Sequence, residues 1–333
     1  MGSVIPKGVS IREVVEKAAL AAGWTQTEHG WQGPEAPLSE DPDIKTGIGF
    51  ACGYKNIGFS FGAKENCGAT IILEGDQEIE KAHLYHAGAE VGQGAHTVFK
   101  QFACEALGLP AEKVEVHYSD TANTLASGSV SASRMTFMAG NSIIGAAQIA
   151  LQKWAEENRP AIGSFVYRPP ATTPMSPVDG SSYPNFAYGY VAEVAVVEVN
   201  TRTGAVEVKE FYCANDVGKA INPSLVEGQI DGGILQMLGY VLMENFKTRD
   251  GKALTKNFAS YLMPTIMDIP GKIIPLVLEY PDPIGPYGAR GMGEMPCLPV
   301  APAVCNAVYD AVGVRFDDFP LTQERVLRGL GKF

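Results

Sequence analysis

Apolar residues recur at helical spacing over 9–22, where Ile11, Val14, Val15, Ala18, Ala19 and Ala22 share one face of a short amphipathic helix. The next stretch, 23–46, is rich in Gly, Pro, Glu and Asp and reads as a linker. From Gly47 the pattern turns to strand, with strands predicted over 48–52, 57–61, 69–73 and 82–87. A helix is predicted over 95–108, closed by Gly108 and Pro110, and Val114-Glu-Val-His-Tyr118 alternates as a strand. A second helix spans 139–157. Residues 159–188, rich in Pro and Ser, mark the internal boundary. The second half opens on a strand over 190–199. The turn Asn200-Thr-Arg-Thr-Gly204 joins it to a strand over 205–212, a hairpin signal. Asn222-Pro223 supplies an N-cap residue followed by proline at the first helical position. Ala303, Val304, Ala307, Val308 and Ala311 again fall at helical spacing. The pattern predicts an α+β chain with an N-terminal helix and linker (1–46) and two mixed α/β sub-domains (47–175 and 176–333).

Composition narrows the classes. A hydrophobic fraction of 46% over 333 residues is enough for a real core. The net charge of −11, without any basic block, argues against a nucleic-acid partner. The six cysteines are scattered, with neither a C-x-x-C nor the spacing of a plant-type iron–sulfur cluster, so most are expected to be small buried residues in a reducing compartment. Pro6, Lys7, Arg12 and Glu13 interrupt the start, which does not read as a signal peptide. The apolar stretch 232–243 is too short to span a bilayer. A cytoplasmic chain without a membrane partner is expected.

Four segments carry candidate chemistry. Gly285-Pro-Tyr-Gly-Ala-Arg-Gly-Met-Gly-Glu-Met-Pro296 places one carboxylate, Glu294, in a glycine-rich loop, either as a ligand clamp, a general base or an ordinary solvated acid. In Glu90-Val-Gly-Gln-Gly94 a strand runs through Gly92, Gln93 and Gly94 into a helix. Its first N–H groups would suit an anion or a polar heterocycle, and a plain strand-to-helix turn would look the same. Ser127-Gly-Ser-Val-Ser-Ala-Ser-Arg-Met-Thr136 offers Ser133, Arg134 and Thr136 to a phosphate, or is a polar loop ending in a cap. The fourth is Asn215-Asp-Val-Gly-Lys-Ala-Ile-Asn-Pro223 with the helix after it, where Gln229 and Gln236 lie seven apart on one face around Gly232 and Gly233. Two interior glycines cost about 1 kcal/mol each relative to alanine, so a packed neighbour or a ligand must come close.

The histidines offer less. His83 and His86, three apart on a predicted strand, point to opposite faces, and His29, His96 and His117 are dispersed. No metal-site spacing, P-loop or G-x-S-x-G is present, and no metal ligand is expected directly from protein side chains. Any metal at the candidate site would arrive on an organic cofactor.

In this order, Gly58-Phe-Ser-Phe61, Glu90-Val-Gly-Gln-Gly94, Ser133-Arg-Met-Thr136, Asp216-Val-Gly-Lys-Ala-Ile-Asn-Pro223, Gln236 and Gly288-Ala-Arg-Gly-Met-Gly-Glu294 resemble the second half of the molybdopterin-binding subunit of the molybdenum hydroxylase (xanthine oxidase) family, over roughly 47–330. The resemblance implies two elongated α+β sub-domains around a molybdopterin carrying molybdenum, expected as the cytosine dinucleotide. It implies Glu294 as the general base in the hydroxylation of an electron-poor carbon, on a nicotinate- or purine-like N-heterocycle or on an aldehyde. Gly92, Gln93, Gly94, Ser133, Arg134, Thr136, Gln236 and Gly291 become cofactor contacts, and Phe61 an aromatic clamp on substrate. Gly62 stands where the xanthine-oxidising members carry Thr, which departs from the purine pattern.

The family's first molybdopterin half, its iron–sulfur ligands and a flavin domain are not found among these residues. The chain therefore resembles the medium subunit of nicotinate-dehydrogenase-like enzymes. This implies a large molybdopterin subunit, a 2Fe–2S subunit and an FAD subunit as partners, in a hetero-oligomer that could pair into a dimer of heteromers, and no activity alone. Two rival readings are a non-catalytic scaffold that keeps the fold and a free-standing nucleotide-binding protein that uses the Gly92–Gly94 turn.

Overall fold

The computed structural model describes residues 5–332. The expectation that the chain starts without a signal peptide therefore falls partly on 1–4, outside the described residues. Helix α1 (Ile11–Ala21) is followed by a small hairpin, β1 (Thr25–Thr27) and β2 (Gly30–Gln32), inside the stretch expected to be a linker. Next come β3 (Ile44–Asn56), β4 (Cys67–Glu74), β5 (Lys81–His86), α2 (Ala95–Leu107), β6 (Val114–Tyr118), α3 (Met135–Ala155) and β7 (Ala161–Tyr167). The second half holds β8 (Tyr188–Asn200), β9 (Val206–Asp216), α4 (Pro223–Leu242), the short hairpin β10 (Thr248–Arg249) and β11 (Lys252–Ala253), β12 (Lys272–Leu278), α5 (Val300–Val312) and α6 (Gln323–Gly329).

Two four-stranded sheets organise these elements, in the orders β6-β5-β4-β7 and β12-β9-β8-β3. Both are mixed: β5 runs parallel to β6 and β9 parallel to β12, while the other pairs are antiparallel. The first sheet packs one face on α2 and α3, with Ile71, Leu73, Leu84, Phe99, Phe102, Phe137 and Met138 in its core. The second is covered on both faces, by α4 and α5 on one side and α1 on the other. A strand buried on both faces reads as a nearly continuous apolar run, as β8 does from Val191 to Val199. α5 lies directly on β3 because Gly47 and Gly49 lack side chains; a Cβ at either would sit 2.1 Å from the carbonyl oxygen of Ala307 or Ala303. This also accounts for the apolar stretch Met295–Val312, whose Ala303, Val304, Ala307 and Val308 are fully buried in the second core.

The division into contiguous sub-domains is corrected by this topology. β3 pairs along its whole length with β8, so it belongs to the second sheet, although it was expected to open the first sub-domain. α1 covers that same sheet through Val14 and Ala18 and is not an appendage. The first unit is thus an insertion between β3 and β8. Two local readings change as well. Residues 57–61 are not a strand but the crossing between units, where the N–H groups of Ile57 and Gly58 donate to the carbonyls of Ala187 and Ala132. The stretch expected to be an irregular boundary contains β7, whose Ala161–Tyr167 completes the first sheet. The six cysteines are all unpaired; Cys67 and Cys213 are buried, Cys52 is exposed and the others are half-buried.

Candidate active site

The crossings between the two units bring four loops to one place. Asp216, at the end of β9, accepts the N–H groups of Gly218 and Tyr280 through Oδ1, at 3.0 Å each, and pairs through Oδ2 with the Arg290 guanidinium and the Ser10 hydroxyl. Arg290 also donates to Asp282 at 3.2 Å and to the carbonyl of Gly8 at 2.7 Å. This buried network fixes the loop that carries Gly291 to Glu294. Gly291 is required by close approach, since a Cβ there would fall 1.5 Å from the carbonyl oxygen of Ser133. It packs the glycine loop onto the serine loop, and it also lines the cavity described below.

Glu294 emerges at the junction. Its N–H donates to Ser133 Oγ at 3.1 Å, and the same hydroxyl donates to Glu294 Oε2 at 3.3 Å. Lys55 Nζ, from the end of β3, lies 2.9 Å from that oxygen; it is 17% exposed against 49% for the glutamate. Lys55 is also held by the carbonyl and side-chain oxygen of Asn56, at 3.0 and 2.8 Å. Ala132 and Ser133 both adopt left-handed backbone, with φ of +52° and +49°. Consecutive non-glycine residues in this region store strain of the kind that collects at functional sites.

Beside Glu294 lies a cavity of about 290 Å³. Of the residues singled out in the sequence, Gln93, Ser133, Arg134, Thr136, Gly291 and Glu294 line it. Gly92, Gly94, Gln236 and Phe61 do not. Gln236 is on the exposed side of α4, and Gln229, nearer the capped N-terminus of that helix, supplies the amide that reaches the cavity. Phe61 is exposed on the crossing loop, in left-handed backbone. Val98, Leu225, Val226 and Met292 give the cavity an apolar floor.

Two expectations about charge meet groups that the chain already engages internally. Free N–H groups at the start of α2 were expected to receive an anion, but the chain fills them itself. Glu90 Oε1 accepts from the N–H groups of Gly92 and Gly94 at 2.9 Å each, and Oε2 from His96 at 3.1 Å. Desolvation opposes ionisation of this carboxyl, yet the three N–H groups together hold it below its usual range. Gln93 is internally bonded too, accepting from Val91 N–H at 2.7 Å and donating to the carbonyl of Ala89 at 3.0 Å. The Arg134 guanidinium was expected to hold phosphate. It is fully buried, pairs with Glu65 at 2.7 Å and donates to the carbonyls of Ser127, Ser129 and Asn66 at 2.8–2.9 Å. Its three nitrogens are all engaged in stapling the serine loop to the chain before β4.

The side chains that remain available include Thr136, expected as a contact, and Gln229. Thr136 and Gln229 make no side-chain hydrogen bond to another described residue. Lys219 is the solvent-accessible cation on the cavity wall, paired with Glu279 at 2.9 Å. Lys219 stands inside a motif singled out in the sequence, but nothing in its spacing separates it from a surface lysine. Lys55 carried no signal either, because its meeting with Glu294 depends on β3 crossing into the second sheet.

Comparison with known proteins identifies the family. The family model described as "Molybdopterin cofactor-binding domain" matches residues 21–163 and 151–270. The chain is 30% identical to a probable hypoxanthine oxidase of Escherichia coli K12, over 89% of this chain and 34% of that protein. It is 30% identical to a probable xanthine dehydrogenase component of Bacillus subtilis, over 87% of this chain and 42% of the other. The solved aldehyde oxidoreductase of Desulfovibrio gigas superposes with a TM-score of 0.80 at 26% identity, over 96% of this chain and 35% of that one. The chain thus spans well under half the length of these relatives. It belongs to the molybdopterin cofactor-binding domain family of the molybdenum hydroxylases, matching the C-terminal half of the molybdenum-binding subunit.

Proposed function

We propose that this chain forms the base-bearing wall of a molybdenum hydroxylase active site, with Glu294 as the general base. The observation that carries the reading is Glu294 in the wall of the cavity, held by Ser133 and Lys55. Its carboxylate is half-exposed and lines the cavity. The residues present fit a pterin cofactor. No cysteine or histidine lines the cavity, so its wall offers no ligand set for a bare metal ion, while Thr136 and Gln229 offer hydroxyl and amide groups to a polar ring system. When bound, the cofactor supplies the two-electron acceptor and the activated oxygen.

The chain's own part is positional and acid–base. With the cofactor and substrate bound, Glu294 would be the group that takes up the proton released on hydroxylation, as a general base does. Ser133 orients the carboxylate, and Lys55 holds it at the end of β3. Lys219 is the cation available to a dinucleotide phosphate, in place of Arg134. The cofactor is proposed as the cytosine dinucleotide form. The substrate is proposed as a nicotinate- or purine-like N-heterocycle or an aldehyde, with Phe61 proposed as its aromatic contact. The segment after α4 exposes Phe246, Phe258, Leu262, Ile266 and Met267. A concentration of exposed apolar side chains of this kind marks an interaction surface, which supports a large molybdopterin subunit completing the site, with 2Fe–2S and FAD carried on further chains.

The test is purification of the native complex, with mass spectrometry of its chains and pterin and measurement of its metal. The expected result is one molybdenum per copy of this chain together with a second molybdopterin-binding polypeptide. A complex free of molybdenum would favour a scaffold, and a cofactor-loaded monomer would contradict the shared site.

A further inference from the structure

On the first sheet, the face turned away from α2 and α3 carries a second cluster of ligating side chains. In a strand, residues two apart share a face, so Glu115 and His117 of β6 project together. The parallel register sets His83 of β5 beside Glu115 and Tyr85 beside His117. His86, three positions from His83, turns into the core as alternation requires. Sequence separation therefore hid a meeting that strand pairing creates: His83 Nδ1 and His117 Nε2 lie 2.9 Å apart. Glu115 Oε2 is 4.0 Å from the first nitrogen, and Oε1 is 3.7 Å from the second.

We propose that His83, Glu115 and His117 bind a zinc-class divalent transition-metal ion on this face. Two imidazole nitrogens and a carboxylate oxygen are a usual zinc set, leaving a fourth position to water. Nitrogens bound at about 2.0–2.1 Å in tetrahedral geometry stand about 3.3 Å apart. Small ring rotations therefore suffice to admit an ion where the two nitrogens now share a proton. A further carboxylate stands beside the other ring nitrogen, with Glu74 Oε2 3.5 Å from His83 Nε2. With its proton at Nε2, His83 presents the Nδ1 lone pair to the ion, the carboxylate–histidine–metal arrangement that orients ligating rings. His117 is held by stacking on Tyr85, with centroids 4.5 Å apart and planes at 14°. Lys81 Nζ takes Glu115 Oε2 at 2.5 Å, which leaves Oε1, the oxygen nearer His117, to face the site. An ion here ties the edge strand β6 to β5 and is independent of the catalytic reading.

The test is titration of the metal-stripped full chain with Zn²⁺ against a chromogenic chelator, and with Co²⁺ by absorption. The expected result is one site of micromolar affinity or tighter, and a Co²⁺ spectrum without the near-ultraviolet thiolate band. His83→Ala and His117→Gln should each weaken it at least about 100-fold, and Zn²⁺ should raise the unfolding temperature of the parent but not of His117→Gln. Glu115→Gln, at an exposed position, should weaken it at least about tenfold and keeps the test decisive if a histidine variant does not fold. Unchanged affinity in these variants, or a thiolate band, would overturn the assignment.

Discussion

Replacing Arg134 with methionine separates a structural guanidinium from a phosphate ligand. The methionine fills most of the volume but supplies none of the four hydrogen bonds, which run to Glu65, Ser127, Ser129 and Asn66 at 2.7–2.9 Å. It strands the Glu65 carboxylate, which is 4% exposed. Breaking one side of a buried ion pair costs about 3–5 kcal/mol. The orphaned carbonyls add to this where water does not reach them. A loss of about 4 kcal/mol is expected. With an unfolding entropy of ~2.1 cal/mol/K per residue, the 333-residue chain carries about 0.7 kcal/mol/K, so the unfolding temperature should fall by about 6 °C. The assay is thermal unfolding of the cofactor-free chain by calorimetry. Arg134→Met/Glu65→Gln should recover part of the loss, because the second substitution removes the stranded charge and leaves an oxygen to accept the Phe59 N–H, now 2.6 Å from Glu65 Oε1. A fall of less than about 2 °C in the single variant, with reduced cofactor content in the complex, would refute the staple and restore the phosphate role.

Three further outcomes follow from the same geometry. Desolvation, with a smaller part from the charges of His96 and Arg134, pushes His86 down to about 3. The unfolded chain takes up that proton below about 6.5 and the folded chain does not, so stability is full above 6.5 and falls with pH by up to about 1.4 kcal/mol per unit; urea midpoints between pH 7 and 5 should show this slope, and His86→Leu should flatten it. Glu193 behaves oppositely: full burial raises its carboxyl well above the usual range, Cys213 Sγ donates to Oε1 at 2.9 Å, and Oε2 has no partner. The folded chain keeps this proton when the unfolded one has lost it, so stability declines as pH rises above about 4.5. Glu193→Gln should gain on the parent between about pH 5 and 8 with the gain vanishing near 4, and parallel curves would contradict it. Lys55→Met removes a partly exposed ion pair of a kind that contributes at most about 1 kcal/mol, so turnover should drop no more than about fivefold at unchanged cofactor content; a hundredfold loss in steady-state assays would give Lys55 a larger role.

Legibility in the sequence followed the range of the interactions. α2 could be placed because Gly94 and Gly108 bracket an amphipathic run, and both adopt the left-handed backbone that makes glycine informative there. α4 was marked by Asn222, whose side chain does accept the Leu225 N–H at 3.1 Å. Which sheet a strand joins was not legible. β3 alternates equally well beside β4 or β8, and only tertiary pairing decides. The same holds at the site. Glycines around Glu294 marked the loop, but the close approach of Gly291 to the Ser133 carbonyl depended on a loop far away in sequence. The serine loop was recognisable by composition, whereas the commitment of Arg134 depended on Glu65, 69 positions away. Gln229 and Gln236 share a helix face by spacing, yet only Gln229 lines the cavity, while Gln236 is exposed further along α4.

The central claim is that Glu294 takes the proton in the chemical step. Glu294→Gln keeps the shape and the N–H donated to Ser133, and it leaves the loop network through Arg290 and Asp216 untouched. The decisive measurement is the single-turnover rate at which substrate reduces the mutant complex, after its molybdenum and pterin content has been shown equal to that of the parent. The predicted result is a fall of about 10²–10⁴-fold, the contribution of a lost general base. A rate near that of the parent in a fully loaded complex would remove Glu294 from the mechanism and leave the chain a cofactor-binding scaffold.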